Sequence, residues 1–202
     1  MRALIEARII ESIKVKELML ADKGLLLQLE KLAVDCVHAL QAGGKIIFAG
    51  NGGSFADAQH LSAEFTSRFL FDRAPLPSMA LGTNSSAISA IGNDYGYENV
   101  FCRELRGIAQ SKDVFIGIST SGNSLNIVKA VEAAVELGIR TVVLTGQSGG
   151  ALAALCECLR VPSSDTPRIQ ECHILLGHIL CELVEQKYYE QIKSCQKGEI
   201  NV

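Results

Sequence analysis

An α/β fold, with a parallel sheet of five strands between two layers of helices and a helical hairpin ahead of it, is predicted by three features of the 202-residue chain. From residue 45 onward, short apolar runs alternate with helical stretches, an order that yields a parallel sheet joined by right-handed crossovers. The runs are continuously apolar, as in strands buried on both faces. Small polar residues and glycines follow three of the five runs, where such sheets bind ligands.

The elements are predicted in chain order as follows. Residues 3–21 and 25–42 form two helices, carrying Leu4, Ile5, Ile9, Ile10, Ile13 and Leu18, then Leu25, Leu29, Leu32, Ala33, Val37 and Leu40, at helical spacing. Gly43 and Gly44 stop the second helix. A hairpin ahead of the first strand has no place on the sheet's own crossovers, so it is expected to pack on a neighbouring subunit. This divides the chain into a helical extension, 1–44, and an α/β domain, 45–202. The strands are KIIFAG (45–50), PSMALG (77–82), DVFIGIST (113–120), RTVVLTG (140–146) and CLRVPS (158–163). Helices are expected near 54–70, 98–110, 124–137, 149–156 and 168–193.

Composition narrows the class. Lys and Arg total 19 against 22 Asp and Glu, a net charge of −3 without a basic stripe, which argues against a nucleic-acid ligand. Charges interrupt the apolar pattern of the first twenty residues, and no later run approaches a membrane span, so a cytoplasmic protein is expected. Seven cysteines, Cys36, Cys102, Cys156, Cys158, Cys172, Cys181 and Cys195, lie mostly in apolar segments, as reduced buried thiols do. Cys156 and Cys158 are the one close pair; their spacing is not a metal knuckle, and their side chains are expected to diverge.

The loop ISTSGNS follows a strand and opens a helix. Hydroxyls of Ser119, Thr120, Ser121 and Ser124, the permissive Gly122 and the helix N-terminus suit a phosphate monoester. The same residues would also serve as a serine-rich turn with Ser124 as N-cap. Without a lysine, the loop is not a nucleotide P-loop. In GNGGS, Gly52 and Gly53 permit a sharp strand-to-helix turn, and Ser54 is placed to cap the helix and face the same phosphate. His60 and Glu64, four residues apart, share a helix face, either as a surface pair or as ligands of one metal or substrate. In RIQECHILLGH, at about 100° per residue, Glu171 lies about 20° and Gln170 about 80° from His178, with His173 about 140° away. That geometry prefers Glu171 as the companion of His178 and leaves His173 structural; His178 itself sits among Leu176, Ile179 and Leu180, as a core histidine would.

The GNGGS turn, the HxxxE helix, GNDYG at 92–96, GISTSGNS, LTGxxGG and the RVPS…RIQExH tail together resemble the sugar isomerase (SIS) family, in its phosphoheptose isomerase branch. The likeness runs nearly the whole chain. It implies a flavodoxin-like sheet, a homotetramer with sites at subunit interfaces, and one zinc per subunit on His60, Glu64, Gln170 and His178, replacing the geometric choice of Glu171. It further implies substrate contacts from Asn51, Gly52, Gly53, Ser54, Glu64, Asn93, Asp94, Ser119, Thr120, Ser121, Ser124 and Gln170. The reaction implied interconverts sedoheptulose 7-phosphate and a manno-heptose 7-phosphate, with Glu64 as base and His178 as acid. Family members carry an aspartate where this chain has Pro167, which leaves Asp165 as the nearby carboxylate. A non-catalytic relative that only binds another protein would lack the Glu64 and His178 pair.

Overall fold

The computed structural model describes the backbone of residues 1–198 and the side chains of residues 1–190. Strands β1 (Ile46–Gly50), β2 (Ser78–Ala80), β3 (Val114–Ile118), β4 (Arg140–Thr145) and β5 (Glu157–Arg160) form one parallel sheet in the order β2-β1-β3-β4-β5. This is the flavodoxin-like order, with its reversal between β1 and β3. Helices α1 (Arg2–Ala21) and α2 (Lys23–Gln41) precede the sheet. Helices α3 (Gly53–Thr66), α4 (Ser85–Tyr95), α5 (Val100–Ile108), α6 (Leu125–Glu136) and α7 (Thr166–Gly198) cover it.

Alternate residues of each strand feed two cores. Ile46, Phe48, Ile116 and Leu144 meet α2, α3 and α7 on one face, whereas Ile47, Ala49, Phe115 and Val143 meet α5 and α6 on the other. All five residues of β1 and of β3 are buried, which is why their sequences show no alternation.

Two expectations change. The hairpin does not act as one unit: Leu25, Leu29, Leu32, Ala33, Val37 and Leu40 of α2 are buried in the core beside α7, so α2 belongs to the helical layer of its own sheet. The physical reason lies in the β4–β5 connection, which holds only a 3-10 turn at Gly150–Ala154 whose Leu152 packs on the opposite face. That leaves α2 room next to α7. By contrast Leu4, Ile5, Ile9, Ile10 and Ile13 of α1 remain exposed, and Met19 is its one buried residue. Second, α4 was not anticipated. Asn84 caps it, its side chain accepting from the Ser86 and Ala87 amides, but its apolar stripe is short, with Ile88 and Ile91 only partly buried against the second core. The Cys156 thiol, just ahead of β5, donates to the Leu152 carbonyl at 3.8 Å, and the Cys158 thiol donates to the Cys156 carbonyl at 3.7 Å. The six described cysteines are free thiols; the Cys195 side chain lies outside the described residues.

Candidate active site

Two constellations stand out, one at the carboxyl ends of the strands and one on the helices α3 and α7 that cover the sheet. The first is made of loops. After β1, Gly52 has φ +55 and ψ −120, a conformation that favours glycine, and it serves as N-cap of α3. Ser54 is therefore a buried residue of the first turn and not the cap. Asn51 exchanges two amide hydrogen bonds with the buried Asn126 on α6, at 2.9 and 2.8 Å, and accepts a third from the Tyr97 hydroxyl at 3.3 Å. These bonds tie the loop after β1 to the one after β3 across the switch in strand order. Sequence reading passed over Asn126, whose signal was a polar residue on the apolar face of Ile127, Ala130 and Val131.

In the hydroxyl loop, the Ser119 hydroxyl donates to that of Ser124 at 3.1 Å, and the Asn123 amide donates to Ser121 Oγ at 3.1 Å. Ser124 occupies the N-cap position of α6, but its hydroxyl makes no capping bond. The loop rests on the turn that follows β4. Gly146 N donates to Thr120 O at 2.9 Å and Leu152 N to Gly122 O at 3.1 Å. At Gly122, with φ +67, a Cβ would stand 2.0 Å from the Gly149 carbonyl oxygen, so any side chain there would part the two turns. Thr120, Ser121, Asn123, Gln147, Ser148 and Ser163 line a cavity of about 280 Å³, a polar recess of a size to hold a phosphate group.

The second constellation is made of side chains from two helices. His60 Nε2 lies 2.9 Å from Glu64 Oε1 and 3.2 Å from His178 Nε2, on α7. These three groups offer atoms all within 4.8 Å of one another. Neighbouring ligand atoms of tetrahedral zinc, with bonds of about 2.0–2.1 Å, stand roughly 3.3 Å apart, so two imidazoles and a carboxylate at these spacings fit the ion. Phe69 lies tilted against the His178 ring, with centroids 5.6 Å apart. Gln170 lies one helical stretch earlier on α7, its side chain resting on Gly53: a Cβ on Gly53 would meet Gln170 Nε2 at 2.7 Å.

Asp57, one turn before His60, is half-buried, and burial raises its pKa, partly opposed by His60 and His178. Sequence reading overlooked it, because an isolated aspartate on a helix carries no signal until its neighbours are known. It also missed the support beneath the cluster. Glu185, fully buried, accepts from the Phe69 and Leu70 amides at 3.0 and 2.8 Å and from Arg73 Nε at 2.6 Å. Arg73 in turn donates to the carbonyls of Glu64 and Phe65, each at 2.9 Å. Burial works against the Glu185 carboxylate, but these donors hold its pKa below the usual range. The pair fixes both the end of α3 that carries Glu64 and the segment that carries Phe69.

The remaining expected residues separate. Glu171, the geometric choice, is turned away from His178 and pairs with Lys16 of α1 at 3.3 Å and Arg168 at 3.4 Å. His173 is fully buried and bonded through Nε2 to the Thr145 carbonyl at 3.2 Å; burial lowers its pKa to about 4, so it is a neutral structural histidine. Asn93 and Asp94 lie exposed on α4, bonded to each other at 2.8 Å, beside an open cavity of about 640 Å³. Pro167 occupies the second position of α7, where a missing N–H is harmless, and exposed Asp165 precedes the helix, its carbonyl accepting from Ile169 N at 2.9 Å.

The SIS domain family matches residues 15–146. The phosphoheptose isomerase of Aneurinibacillus thermoaerophilus is 55% identical over 190 residues, 94% of this chain and 96% of that protein. The chain belongs to the phosphoheptose isomerase family. Among solved structures, the phosphoheptose isomerase of Neisseria gonorrhoeae superposes with a TM-score of 0.84 at 41% identity, covering 91% of this chain and 98% of that one. The one from Francisella tularensis gives 0.86 at 35% identity, covering 91% and 97%. In this phosphoheptose isomerase family member, both site constellations fall on the shared α/β domain.

Proposed function

We propose that the chain is an aldose–ketose isomerase that interconverts D-sedoheptulose 7-phosphate and D-glycero-D-manno-heptose 7-phosphate through an enediol, a step toward ADP-heptose and the lipopolysaccharide core. The observation that carries the reaction type is the cluster of His60, Glu64 and His178, which puts a carboxylate and an imidazole within reach of the same substrate atoms. Glu64 Oε1 faces His60, which leaves Oε2 to take the proton from C1 of the open-chain ketose. The freed electron pair forms the C1–C2 double bond while the C2 oxygen takes a proton from His178. In the second half, the C1 hydroxyl returns a proton to His178 as the new carbonyl forms, and Glu64 delivers its proton to C2.

A zinc ion held by His60, Glu64, Gln170 and His178 would supply positive charge for oxygen that becomes negative between the two halves. Ser119, Thr120, Ser121 and Ser124 bind the phosphate and, with Asn51, Gly52, Gly53, Ser54, Asn93 and Asp94, position the sugar, an effect on binding and orientation more than on the chemical step. The exposed apolar face of α1, with Leu4, Ile5, Ile9, Ile10 and Ile13, supports assembly into a homotetramer. No helix among the described residues is long and apolar enough to cross a membrane, which accords with a cytoplasmic enzyme.

The test is to incubate the purified protein with sedoheptulose 7-phosphate and separate the products by anion-exchange chromatography. An aldoheptose phosphate peak is expected, with about one zinc per chain by elemental analysis. A flat trace from folded, metal-replete protein overturns the proposal.

A further inference from the structure

Asn51 stands between Gly50 and Gly52 in the turn after β1, and both polar atoms of its carboxamide are bonded. Oδ1 accepts from Asn126 Nδ2 at 2.8 Å and from the Tyr97 hydroxyl at 3.3 Å, while Nδ2 donates to Asn126 Oδ1 at 2.9 Å. A carboxamide oxygen carries two lone pairs, and the nitrogen carries two N–H groups. Both lone pairs of Asn51 are therefore occupied, and one N–H is left without a partner among the described residues.

The two residues that donate to Asn51 rest on one support. Asn126 lies in the first turn of α6 and is 4% exposed, so loss of the pair would leave a buried amide unsatisfied. Tyr97 opens a 3-10 turn, Tyr97–Asn99, that the chain enters through Gly96 at φ +86 and ψ 149. Lys129, one turn further along α6, holds that turn: its Nζ lies 3.6 Å from Glu98 Oε1 and donates to Asn99 Oδ1 at 3.1 Å. Both donors thus refer Asn51 to the helix that follows the hydroxyl loop. The Tyr97 ring also forms one wall of a cavity of about 130 Å³, with Asn51, Gly52, Phe55, Ile88 and Phe101. Phenylalanine would line that wall equally well, so what the tyrosine adds is its bond to Asn51.

We propose that Tyr97 and Asn126 are positioning residues that lock the Asn51 carboxamide with its oxygen turned to them, leaving one Nδ2–H as a fixed donor to an oxygen of the sugar phosphate. Asn51 then selects an acceptor. It meets a phosphoryl oxygen or a lone pair of a sugar oxygen, and it does not accept from a sugar hydroxyl. Released from these bonds, the carboxamide would turn about its last side-chain bond and present oxygen to oxygen in part of its orientations. Fixing the donor beforehand strengthens binding by removing that ordering cost. It leaves the proton transfers assigned to Glu64 and His178 unchanged, so its effect falls on KM and not on kcat.

The contact with the sugar phosphate rests on the isomerase reading; the locked carboxamide does not. The test is a double-mutant cycle on turnover of sedoheptulose 7-phosphate by the full-length protein, with Tyr97→Phe, Asn51→Ala and the two combined. Tyr97→Phe should raise KM about 5-fold with kcat unchanged, the loss of one hydrogen bond. Added to Asn51→Ala, the same change should have almost no effect, because the hydroxyl then has nothing to hold. An equal rise in both backgrounds would mean that Tyr97 touches the substrate itself, and that result, or an unchanged KM for Tyr97→Phe, overturns the positioning role. Asn51→Asp keeps an acceptor for Tyr97 and Asn126 but lacks the free N–H, so its KM should rise at least about 10-fold. A KM within about 2-fold of the unaltered protein overturns the donor. The lock itself is read without turnover, from the side-chain amide signals of protein labelled with nitrogen-15 on asparagine. Asn51→Ala should remove one carboxamide and shift that of Asn126, and Tyr97→Phe should shift the Asn51 signals and speed their exchange with solvent. Signals that stay in place in both variants overturn the lock. If the unaltered protein turns over no sugar phosphate while these shifts appear, the isomerase reading fails and the locked carboxamide stands.

Discussion

The hydroxyl loop and the His–Glu cluster are built in opposite ways. The loop is one contiguous stretch whose shape is set by backbone: Gly122 in a left-handed conformation, amides of the neighbouring turn donating to Thr120 and Gly122, and the N-terminus of α6. The cluster is set by side chains on different helices, since His60 and His178 are 118 residues apart and meet because α3 and α7 pack on one face of the sheet. Consequently the loop should tolerate changes of hydroxyl and fail on a change of backbone, whereas the cluster should fail on a single side chain and on the buried ion pair that holds it.

The largest effect is expected from Glu64→Gln, which removes the proposed base while preserving shape. Turnover should fall by about 10⁴-fold with the circular dichroism spectrum unchanged. Undiminished kcat would take Glu64 out of the chemistry and reduce the cluster to packing. Next comes the support. Arg73→Met leaves the Glu185 carboxylate buried without its cation, so stability should drop by at least about 3 kcal/mol in a denaturant titration. A loss under about 1 kcal/mol would mean that the end of α3 is held by something else.

His173 gives a pH-dependent effect of similar origin. Its folded pKa of about 4 lies below the unfolded value of about 6.5, so the native state excludes a proton that the unfolded chain binds. Stability from this group is complete above about pH 6.5 and declines as pH falls toward 4, by about 3 kcal/mol in all. His173→Gln should flatten that part of the stability–pH curve; an unchanged slope would assign the acid sensitivity elsewhere. The smallest effects belong to the loop. Gly122→Ala should raise KM for the sugar phosphate more than Ser121→Ala, which loses one of several hydroxyls and costs about 1 kcal/mol, or roughly 5-fold in KM with kcat intact. The reverse ranking would show that the hydroxyls, and not the backbone, define the loop.

What could be read in the sequence follows the same division. Five strands announced themselves as apolar runs, and GNGGS and ISTSGNS could be recognised as turns because their residues are adjacent. The i, i+4 spacing of His60 and Glu64 was visible, but helical geometry alone chose Glu171 for His178. An angle about one helix axis says nothing about which neighbour lies across it, and Glu171 faces Lys16 of α1. Asn126, Arg73 and Glu185 escaped because each depends on a partner far along the chain. The place of α2 in the core could not be read because its apolar stripe is the same whichever surface it meets.

The most direct test of the cluster as the acid–base centre is a proton NMR time course of sedoheptulose 7-phosphate with the enzyme in D₂O. A base that exchanges its proton with solvent between the two half-reactions should give aldoheptose phosphate bearing deuterium at C2, and Glu64→Gln should give neither product nor exchange. Aldose that keeps protium at C2, formed equally well by Glu64→Gln, would contradict proton transfer through Glu64 and point to direct transfer of hydrogen between the two carbons.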